Sequence, residues 1–281
     1  MSNPYELDYK PVPASLLSGM AQTAATQIDP LLCGYRQLFD KLQLPRSGAL
    51  HLGGHVGQEL PMYAALGFRH VVMVEPLPEE HAELAARVDA FNRTCSLLGE
   101  FLGEPAARAH AVRCAVTDHD GPCTFYRTGM TSLSSLARPR REQFSGLDLW
   151  DDFGNRLPWY QRPFRRWMNR NAIAFRETTV PGMSLDTLAA QLPHGWSAAD
   201  FSYLRLNIQG AELKALRGGA EVLRHVSLVD LEINIEQRYE DAPAKPQFDA
   251  LLGGFGFRAV FGYRIGPVGN LLYFRPPAAA A

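Results

Sequence analysis

A glycine-rich turn and one acid further along the chain are the residues best suited to chemistry. The turn Gly53-Gly-His-Val-Gly57 follows the apolar run Gly48–Leu52, and glycines at such a place let the backbone turn tightly and a ligand approach closely. Glu75 ends a second apolar run and lies 18 residues after Gly57. This is close to the spacing of roughly 20 residues at which an acid binds ribose hydroxyls. Together they predict a site for an adenosine-containing ligand.

The sequence disfavours three familiar kinds of nucleotide-binding site. The dinucleotide fingerprint G-x-G-x-x-G ending at Gly57 requires glycine at position 52, where the chain has Leu52. The chain has no G-x-x-x-x-G-K-[ST] phosphate loop, and none of its ten tyrosines has lysine four places on, as a short-chain dehydrogenase requires. S-adenosylmethionine has no pyrophosphate and does not need the first glycine. It is therefore the ligand that remains.

The segments that must position these residues alternate between strand and helix patterns. Strands are predicted for Gly48–Leu52, His70–Val74, Ala109–Val116, Phe201–Leu206 and Ser227–Ile233, with a closing pair over Phe255–Tyr263 and Asn270–Phe274. Helices are predicted over 58–66, 79–92 and 211–224. This order predicts an α/β fold with a mostly parallel sheet and helices on both faces, so the functional residues should follow the strands.

Two segments stand apart from this alternation. Residues 1–45 hold proline-bounded amphipathic segments, which predict leading helices over Ser15–Ile28 and Leu31–Leu44, ahead of a main domain over 46–281. Within that domain, residues 138–172 carry eight arginines against four acids, a local net charge of +4, and three of the four tryptophans. We interpret this stretch as an insertion over an edge of the sheet.

Composition excludes several classes of protein. Lys and Arg number 28 against 29 Asp and Glu, so the overall charge predicts neither a nucleic-acid nor a membrane-surface partner. No stretch is long and apolar enough to cross a bilayer, and the polar start MSNPYELDYK does not resemble a signal peptide, so we expect a cytoplasmic protein. The four cysteines form no C-x-x-C pair and no zinc-ligand spacing, which predicts free thiols.

Several motifs together resemble the FkbM-type family of S-adenosylmethionine-dependent methyltransferases, over about Leu50 to Phe274. They are His51-Leu-Gly-Gly-His-Val-Gly57 with Gln58 and Tyr63, Val74-Glu-Pro-Leu-Pro78, Ala115–Gly121, Gly129–Leu136, Ser184–Leu188, Leu204–Leu213, and Asp230–Ile233. The block Ile208-Gln-Gly-Ala-Glu-Leu213 is the most specific of them. The resemblance implies a Rossmann-like class I methyltransferase fold, with a mostly parallel seven-stranded sheet and helices on both faces.

The resemblance also implies how the cofactor S-adenosylmethionine is bound. Gly53, His55 and Gly57 would line its methionine portion, while Glu75 would hold the ribose. The complete predicted cofactor set is His51, Gly53, His55, Gly57, Gln58, Glu75, Pro76, Ala115, Val116, Asn207 and Gln209, of which Ala115 and Val116 would flank the adenine.

Two residues depart from the family's usual pattern. His51 stands where the glycine motif usually begins with Asp, and a neutral imidazole there can either reach the cofactor's amino group or bond the neighbouring strand. Asn207 replaces the Asp that usually ends the fourth-strand motif. An amide is neither a general base nor a good ligand for Mg²⁺, so we expect no metal requirement. Either Asn207 only orients, or another residue has taken over, or catalysis is lost.

Candidate catalytic residues should lie beyond strand ends. Methyl transfer from a sulfonium is an in-line displacement, so the protein aligns donor and acceptor and, for a hydroxyl, removes a proton. We select Glu232 and His55 as candidate bases, with Asn207 as their orienting neighbour. The further candidates are Glu212, Glu236 and His119, of which Glu212 is better explained as a charge near a helix N-terminus and His119 as a solvated loop residue.

Acceptor recognition is predicted in the Arg- and Trp-rich insertion. Guanidinium groups pair with carboxylates or phosphates, and aromatic faces stack on sugars, which indicates a small anionic or glycosylated acceptor. The predicted substrate residues are Arg138, Trp150, Trp159, Arg162 and Trp167. A homo-oligomer interface is the alternative use of such a segment.

Three functional hypotheses follow. The leading one is O-methylation of a hydroxyl on a sugar or natural-product intermediate, which the sequence does not separate from N-methylation. A binding or regulatory protein that keeps the fold without catalysis is a different class, and Asn207 supports it. A nicotinamide-dependent dehydrogenase is disfavoured by Leu52.

Overall fold

A computed structural model describes residues 10–11, 30–103, 105–144, 171–234, 237–265 and 268–276. The strands are β1 (Lys10–Pro11), β2 (Gly48–Leu52), β3 (His70–Val74), β4 (Arg108–Val112), β5 (Ala115–Thr117), β6 (Gly121–Thr128), β7 (Phe175–Ser184), β8 (Tyr203–Leu206), β9 (Leu228–Asn234), β10 (Arg258–Ile265) and β11 (Val268–Phe274). The helices are α1 (Pro30–Lys41), α2 (Leu60–Ala65), α3 (Pro78–Leu102), α4 (Arg141–Phe144), α5 (Leu185–Ala190), α6 (Glu212–Arg217), α7 (Ala220–His225) and α8 (Lys245–Gly254).

The main sheet confirms the predicted α/β architecture. Its strand order is β1-β10-β11-β9-β8-β2-β3-β4, in which β11 runs antiparallel to both of its neighbours. Seven of these strands form the predicted Rossmann-like sheet, and the two-residue β1 adds an edge. The chain moves outward from β2 to β4 and then returns on the other side of β2 with β8. Because the order reverses there, the ends of β2 and β8 open a crevice where a ligand can bind.

Apolar side chains alternate between the two faces of the sheet, which explains the cover of helices on both sides. Leu50 and Leu52 belong to a buried cluster that includes residues of α5 to α8. Ala49 belongs to a second buried cluster, which is packed with aromatic side chains such as Phe39 of α1 and Tyr63 of α2. Successive residues of a strand point to opposite faces, so each strand contributes to both cores.

A second, three-stranded sheet was not predicted from the sequence. Its order is β5-β7-β6, with β6 and β7 antiparallel and β5 parallel to β7. The predicted strand Ala109–Val116 is therefore wrong as a single element, because β4 ends at Val112 and β5 pairs in the other sheet. The predicted helix 211–224 is likewise divided at Gly218, where a Cβ atom would lie 2.4 Å from the carbonyl oxygen of Thr117.

The ends of the chain agree with prediction only in part, because strand β1 (Lys10–Pro11) was not predicted within residues 1–45. Helix α1 matches the second predicted leading helix, and β10 with β11 forms the closing strand pair. The first predicted leading helix, Ser15–Ile28, lies outside the described residues. Among the helices that are described, none combines the length and the apolar character needed to span a membrane.

Candidate functional site

The glycine turn after β2 brings the backbone into contact with the chain at the ends of β3 and β8. The N–H groups of Gly53 and Gly54 both donate to the carbonyl of Val74 at the end of β3, at 3.0 and 2.9 Å. Gly53 has a φ of +85°, and a Cβ atom there would lie 1.9 Å from the carbonyl oxygen of Asn207. Only glycine fits this contact, because any side chain would push the ends of β2 and β8 apart.

Glu75 follows β3 and is held by the same turn. Its carboxylate oxygens accept hydrogen bonds from the N–H groups of His55, at 3.1 Å, and Leu77, at 3.0 Å. Only 6% of the residue is exposed. Burial, which outweighs these two hydrogen bonds, raises the pKa of Glu75 to about 7. The side chain is therefore fixed in place and still has lone pairs for further donors.

A cavity of about 220 Å³ opens at the ends of β2, β3 and β8. Its lining includes eight of the predicted cofactor residues, namely Gly53, His55, Gln58, Glu75, Pro76, Ala115, Val116 and Asn207. The other lining residues are Glu59, Val74, Cys114, Phe125, Thr131, Ser132, Ser134, Leu136, Ile208 and Ala211. The sequence thus placed most of its candidates around one space, although they come from segments far apart in the chain.

The apolar wall of this cavity includes side chains that sequence reasoning missed. Phe125 of β6 and Leu136 pack with Ala115 in a small buried cluster, and all three line the cavity. Leu136 lies in a motif that carried the family resemblance but had no role assigned. Phe125 had no local signal, because β6 was not recognised as a strand.

A second missed group is a set of hydroxyl side chains facing the glycine turn. Thr131, Ser132 and Ser134 line the cavity, and the Oγ1 atom of Thr131 lies 2.9 Å from Nε2 of His55. His55 has a φ of 44°, a conformation in which histidine is tolerated better than bulkier residues. The imidazole and the Thr131 hydroxyl therefore form one polar wall of the cavity.

His51 lies elsewhere. The residue is fully buried, its Nδ1 atom lies 3.0 Å from the hydroxyl of Tyr63, and it does not line the cavity. Desolvation, with a smaller contribution from the nearby Arg205, lowers the pKa of His51 well below its ordinary value. His51 contacts Tyr63 in the interior, whereas Gly53, two residues further along, lines the cavity. The expected reach of His51 to the cofactor therefore finds no support in this geometry. Its side-chain contact is with Tyr63 of helix α2 and not with the neighbouring strand that the structural alternative named.

Gly57 is also outside the cavity lining. It has a φ of +81°, and a Cβ atom there would lie 2.8 Å from Cδ1 of Leu84 in α3. The glycine is explained by close packing of the turn against this helix rather than by contact with a ligand.

Asn207 and Gln209 form a polar chain that leads away from the cavity. The Nε2 atom of Gln209 donates to Oδ1 of Asn207 at 2.8 Å and to Oε1 of Glu232 at 3.2 Å. Asn207 lines the cavity, whereas Gln209 and Glu232 do not. Burial raises the pKa of Glu232, with Arg205 opposing the shift. Gln209 therefore separates Glu232 from the lining residue Asn207, and Glu232 does not reach the cavity as a candidate base should.

Glu212 has a structural role in this structure. It is 1% exposed, and its carboxylate accepts hydrogen bonds from the N–H groups of Ile208 and Gly210, which fixes the loop after β8. Burial raises the pKa of Glu212 to about 7. His119 is exposed and lies 2.7 Å from the carboxylate of Asp118, as expected of a solvated loop residue. Glu236 lies outside the described residues.

The predicted substrate residues are only partly described. Arg138 does not line the cavity, lies 4.0 Å from a carboxylate oxygen of Glu240, and places its guanidinium 5.8 Å from the ring centre of Phe175. The other predicted substrate residues, Trp150, Trp159, Arg162 and Trp167, lie outside the described residues.

The charges at the cavity are acidic. Glu59 and Glu75 line it, whereas no lysine or arginine does among the residues that the structure describes. Within the same residues there is no group of three or more His, Cys, Asp or Glu side chains arranged to hold a metal ion. The described lining therefore suits a ligand with positive charge better than one with phosphates.

The model of one protein family matches more than half of the chain. The family model described as methyltransferase FkbM domain matches residues 51–264. Among solved structures, methyltransferase FkbM from Methylobacillus flagellatus KT is 11% identical with a TM-score of 0.44, covering 93% of this chain and 58% of that one. Magnesium protoporphyrin IX methyltransferase from Synechocystis PCC 6803 is 11% identical with a TM-score of 0.38, covering 90% and 86%. This chain thus spans less than two thirds of the first structure. No curated protein matches the sequence.

Proposed function

The chain belongs to the methyltransferase FkbM domain family, and on that premise we propose that it binds S-adenosylmethionine in the cavity at the ends of β2, β3 and β8 and transfers the methyl group. The acceptor in this proposal is a hydroxyl on a small molecule, a sugar or natural-product intermediate. The overall charge of −1 favours a small acceptor over nucleic acid or a membrane surface, and we place the reaction in the cytoplasm.

Glu75 is the observation that carries this proposal. Its carboxylate is already fixed by the N–H groups of His55 and Leu77 and lines the cavity beside the glycine turn. A carboxylate in that place accepts hydrogen bonds from both hydroxyls of a ribose.

The rest of the lining fits the other parts of the same cofactor. Ala115, Phe125 and Leu136 offer an apolar wall for the adenine ring. Glu59 and Gly53 also line the cavity, and the Glu59 carboxylate would offset the positive charge of the cofactor. A dinucleotide would instead bring phosphates to a lining whose described residues offer no cation, which argues against the dehydrogenase hypothesis.

The bound cofactor supplies an activated methyl group, and the chain's own residues must position the acceptor and receive any proton. His55 is the better placed of the two candidate bases, because it lines the cavity and Glu232 does not. Its Nε2 atom is within hydrogen-bond distance of the Thr131 hydroxyl, which holds the imidazole in one orientation. Asn207 remains in the proposal as an orienting residue that faces the same space.

A second candidate function is a protein that binds the cofactor without transferring a methyl group. Asn207 favours it, because an amide cannot accept a proton at the position where the family usually has an acid. The two candidates share the cofactor site and differ only in turnover.

Calorimetric titration with S-adenosylmethionine and S-adenosylhomocysteine, with NAD as the control ligand, tests the proposal. We expect micromolar binding of the first two and none of NAD, and Glu75→Ala should abolish binding while the thermal unfolding temperature stays close to that of the parent. Binding of NAD, or retained affinity in Glu75→Ala, would show that the cofactor assignment is wrong.

A further inference from the structure

The Asn207 amide has a defined orientation, set by its neighbours. Gln209 lies between four polar groups: its Nε2 atom donates to Asn207 and Glu232, and its Oε1 atom accepts from Nδ2 of Asn234 at 3.3 Å and faces the Tyr239 hydroxyl at 3.4 Å. A carboxylate accepts hydrogen bonds and cannot donate them when ionised, so Glu232 fixes the nitrogen end of Gln209 on its own side. The amide of Gln209 therefore cannot turn over without losing these contacts.

This arrangement determines which end of Asn207 is available to a ligand. Its Oδ1 atom is already occupied by Gln209 at 2.8 Å. Its Nδ2 atom makes no hydrogen bond to any residue in the described part of the chain, and the side chain lines the cavity. Asn207 lies against Gly53, whose backbone turns around the cofactor's methionine end in the proposed function. Position 207 thus presents a neutral hydrogen-bond donor to the cavity.

A donor at this place discriminates between kinds of reacting group. A neutral hydroxyl or an ammonium must lose a proton before it attacks, and Asn207 cannot take that proton. An oxygen that is already ionised needs no base, and an N–H donor stabilises its charge. An aspartate at position 207 would instead repel such an oxygen.

Building on the proposed function and narrowing its acceptor, we propose that the hydroxyl methylated by this protein is an acidic one, such as a phenol, that reacts as its oxyanion. Asn207 Nδ2 binds this oxyanion, and Gln209 makes that contact possible by orienting Asn207. In the transfer step, a lone pair of the ionised oxygen forms the new C–O bond with the methyl carbon, and the C–S bond breaks. The electron pair of that bond stays on sulfur, which becomes a neutral thioether. No proton is transferred, and two opposite charges disappear.

The loss of charge explains how such a reaction can proceed in an acidic cavity. The described lining contains two carboxylates, of which Glu75 is assigned to the ribose and Glu59 remains. The positive charge of the cofactor's sulfonium lies beside the reacting methyl carbon, so it attracts an anion to that carbon. An uncharged residue at 207 keeps a further negative charge away from that carbon.

The test measures transfer of radiolabelled methyl groups to acceptors that differ only in charge. The panel pairs methyl-substituted phenols with the isomeric benzyl alcohols, and adds phenols of graded acidity. We expect transfer to the more acidic phenols. Asn207→Asp should lower that transfer by at least about tenfold, the value of one hydrogen bond to a charged group, and the affinity of this variant for S-adenosylmethionine is measured alongside it.

Gln209→Glu distinguishes positioning by Gln209 from a purely structural role. An ionised carboxylate at 209 cannot donate to Asn207, so the amide should turn and present Oδ1, and the preference between paired phenols and alcohols should shift toward the alcohols. The control is Glu83→Gln on exposed α3, whose preference should equal the parent's. Transfer to alcohols alone, transfer to no anionic acceptor, or an unchanged preference in both variants overturns the inference. Failure to bind S-adenosylmethionine overturns the proposed function instead.

Discussion

At the scale of single residues, Glu75 combines a binding role with an unusual acidity. A carboxyl that is 6% exposed is costly to ionise, and two backbone N–H groups compensate only part of that cost, so the pKa is about 7. The ionised form is the better acceptor for the two hydroxyls of a ribose. Cofactor binding and ionisation of Glu75 should therefore be coupled.

The affinity for S-adenosylmethionine should rise with pH through the region around 7. Below this pH Glu75 is protonated in the free protein, and binding must first remove that proton, so affinity falls as pH falls. Calorimetric titrations at pH 6.0, 7.0 and 8.0 measure the change. In Glu75→Gln, which has no proton to lose, the remaining affinity should vary little over the same range. A wild-type affinity independent of pH would contradict the coupling.

Gly53 is a residue whose type is required by contact rather than by ligand chemistry. We expect Gly53→Ala to lower the free energy of unfolding by at least about 3 kcal/mol, because the new Cβ atom would meet the Asn207 carbonyl oxygen at 1.9 Å. Gly195→Ala is the matched control. Gly195 also has a positive φ, of +72°, but nothing lies within 4 Å of the place that a Cβ atom would take, so the cost should be about 1–2 kcal/mol. Equal costs in denaturant unfolding would contradict the backbone contact.

At the scale of elements, a buried polar network joins α1 to the middle of the sheet. One carboxylate oxygen of Asp230 on β9 accepts hydrogen bonds from Arg205, at 2.8 Å, Tyr203, at 2.6 Å, and Tyr35 of α1, at 2.7 Å. Asp230 is fully buried and Arg205 is 9% exposed. Asn207 directly follows β8 and Glu232 lies within β9, so the network fixes the elements that carry the polar side of the site.

Asp230→Asn should destabilise the protein by about 3–5 kcal/mol, because it leaves the Arg205 cation buried without its counter-charge. Glu83→Gln breaks the exposed ion pair with Arg87 in α3 and should cost less than about 1 kcal/mol. Urea unfolding monitored by circular dichroism compares the two variants. A loss for Asp230→Asn as small as that of the surface control would show that the network contributes little to stability.

At the scale of the whole molecule, two sheets and several distant segments enclose one acidic cavity. The main sheet supplies Glu75 and Asn207, while the small sheet supplies Phe125 and Ala115. Cofactor binding should therefore protect both sheets together, since neither one encloses the cavity alone. Metal dependence is a further property of this cavity, because position 207 provides an amide in place of the usual acid.

Removal of divalent cations should leave cofactor affinity and methyl transfer unchanged. Asn207 is a weak ligand for a hard cation, and the described residues contain no cluster of three or more candidate ligands. Activity and calorimetric binding before and after treatment with EDTA are the measurements. Strong inhibition that Mg²⁺ reverses would contradict this expectation.

The sequence by itself determined the main elements and the place of the site. The strands β2 and β3, the glycine turn and Glu75 are all set by local patterns, and the rule that carboxyl ends of parallel strands meet at one edge then brings Glu75 and Asn207 together. The family motifs added Ala115 and Val116 to the same cavity. The elements and the shared cavity could be predicted because they need only spacing along the chain and a known sheet topology, whereas the cofactor roles of these residues stay predictions.

Only the tertiary structure decided how individual side chains are used. Phe125 reaches the cavity because β6 pairs with β7 at a register such as Phe125 with Thr178, a long-range pairing that no local pattern indicates. The His51 imidazole lies within hydrogen-bond distance of the Tyr63 hydroxyl, and Gln209 orients the Asn207 amide. Such roles depend on which partners the fold brings within hydrogen-bond distance, and a partner's position is a property of the packed chain rather than of its sequence spacing.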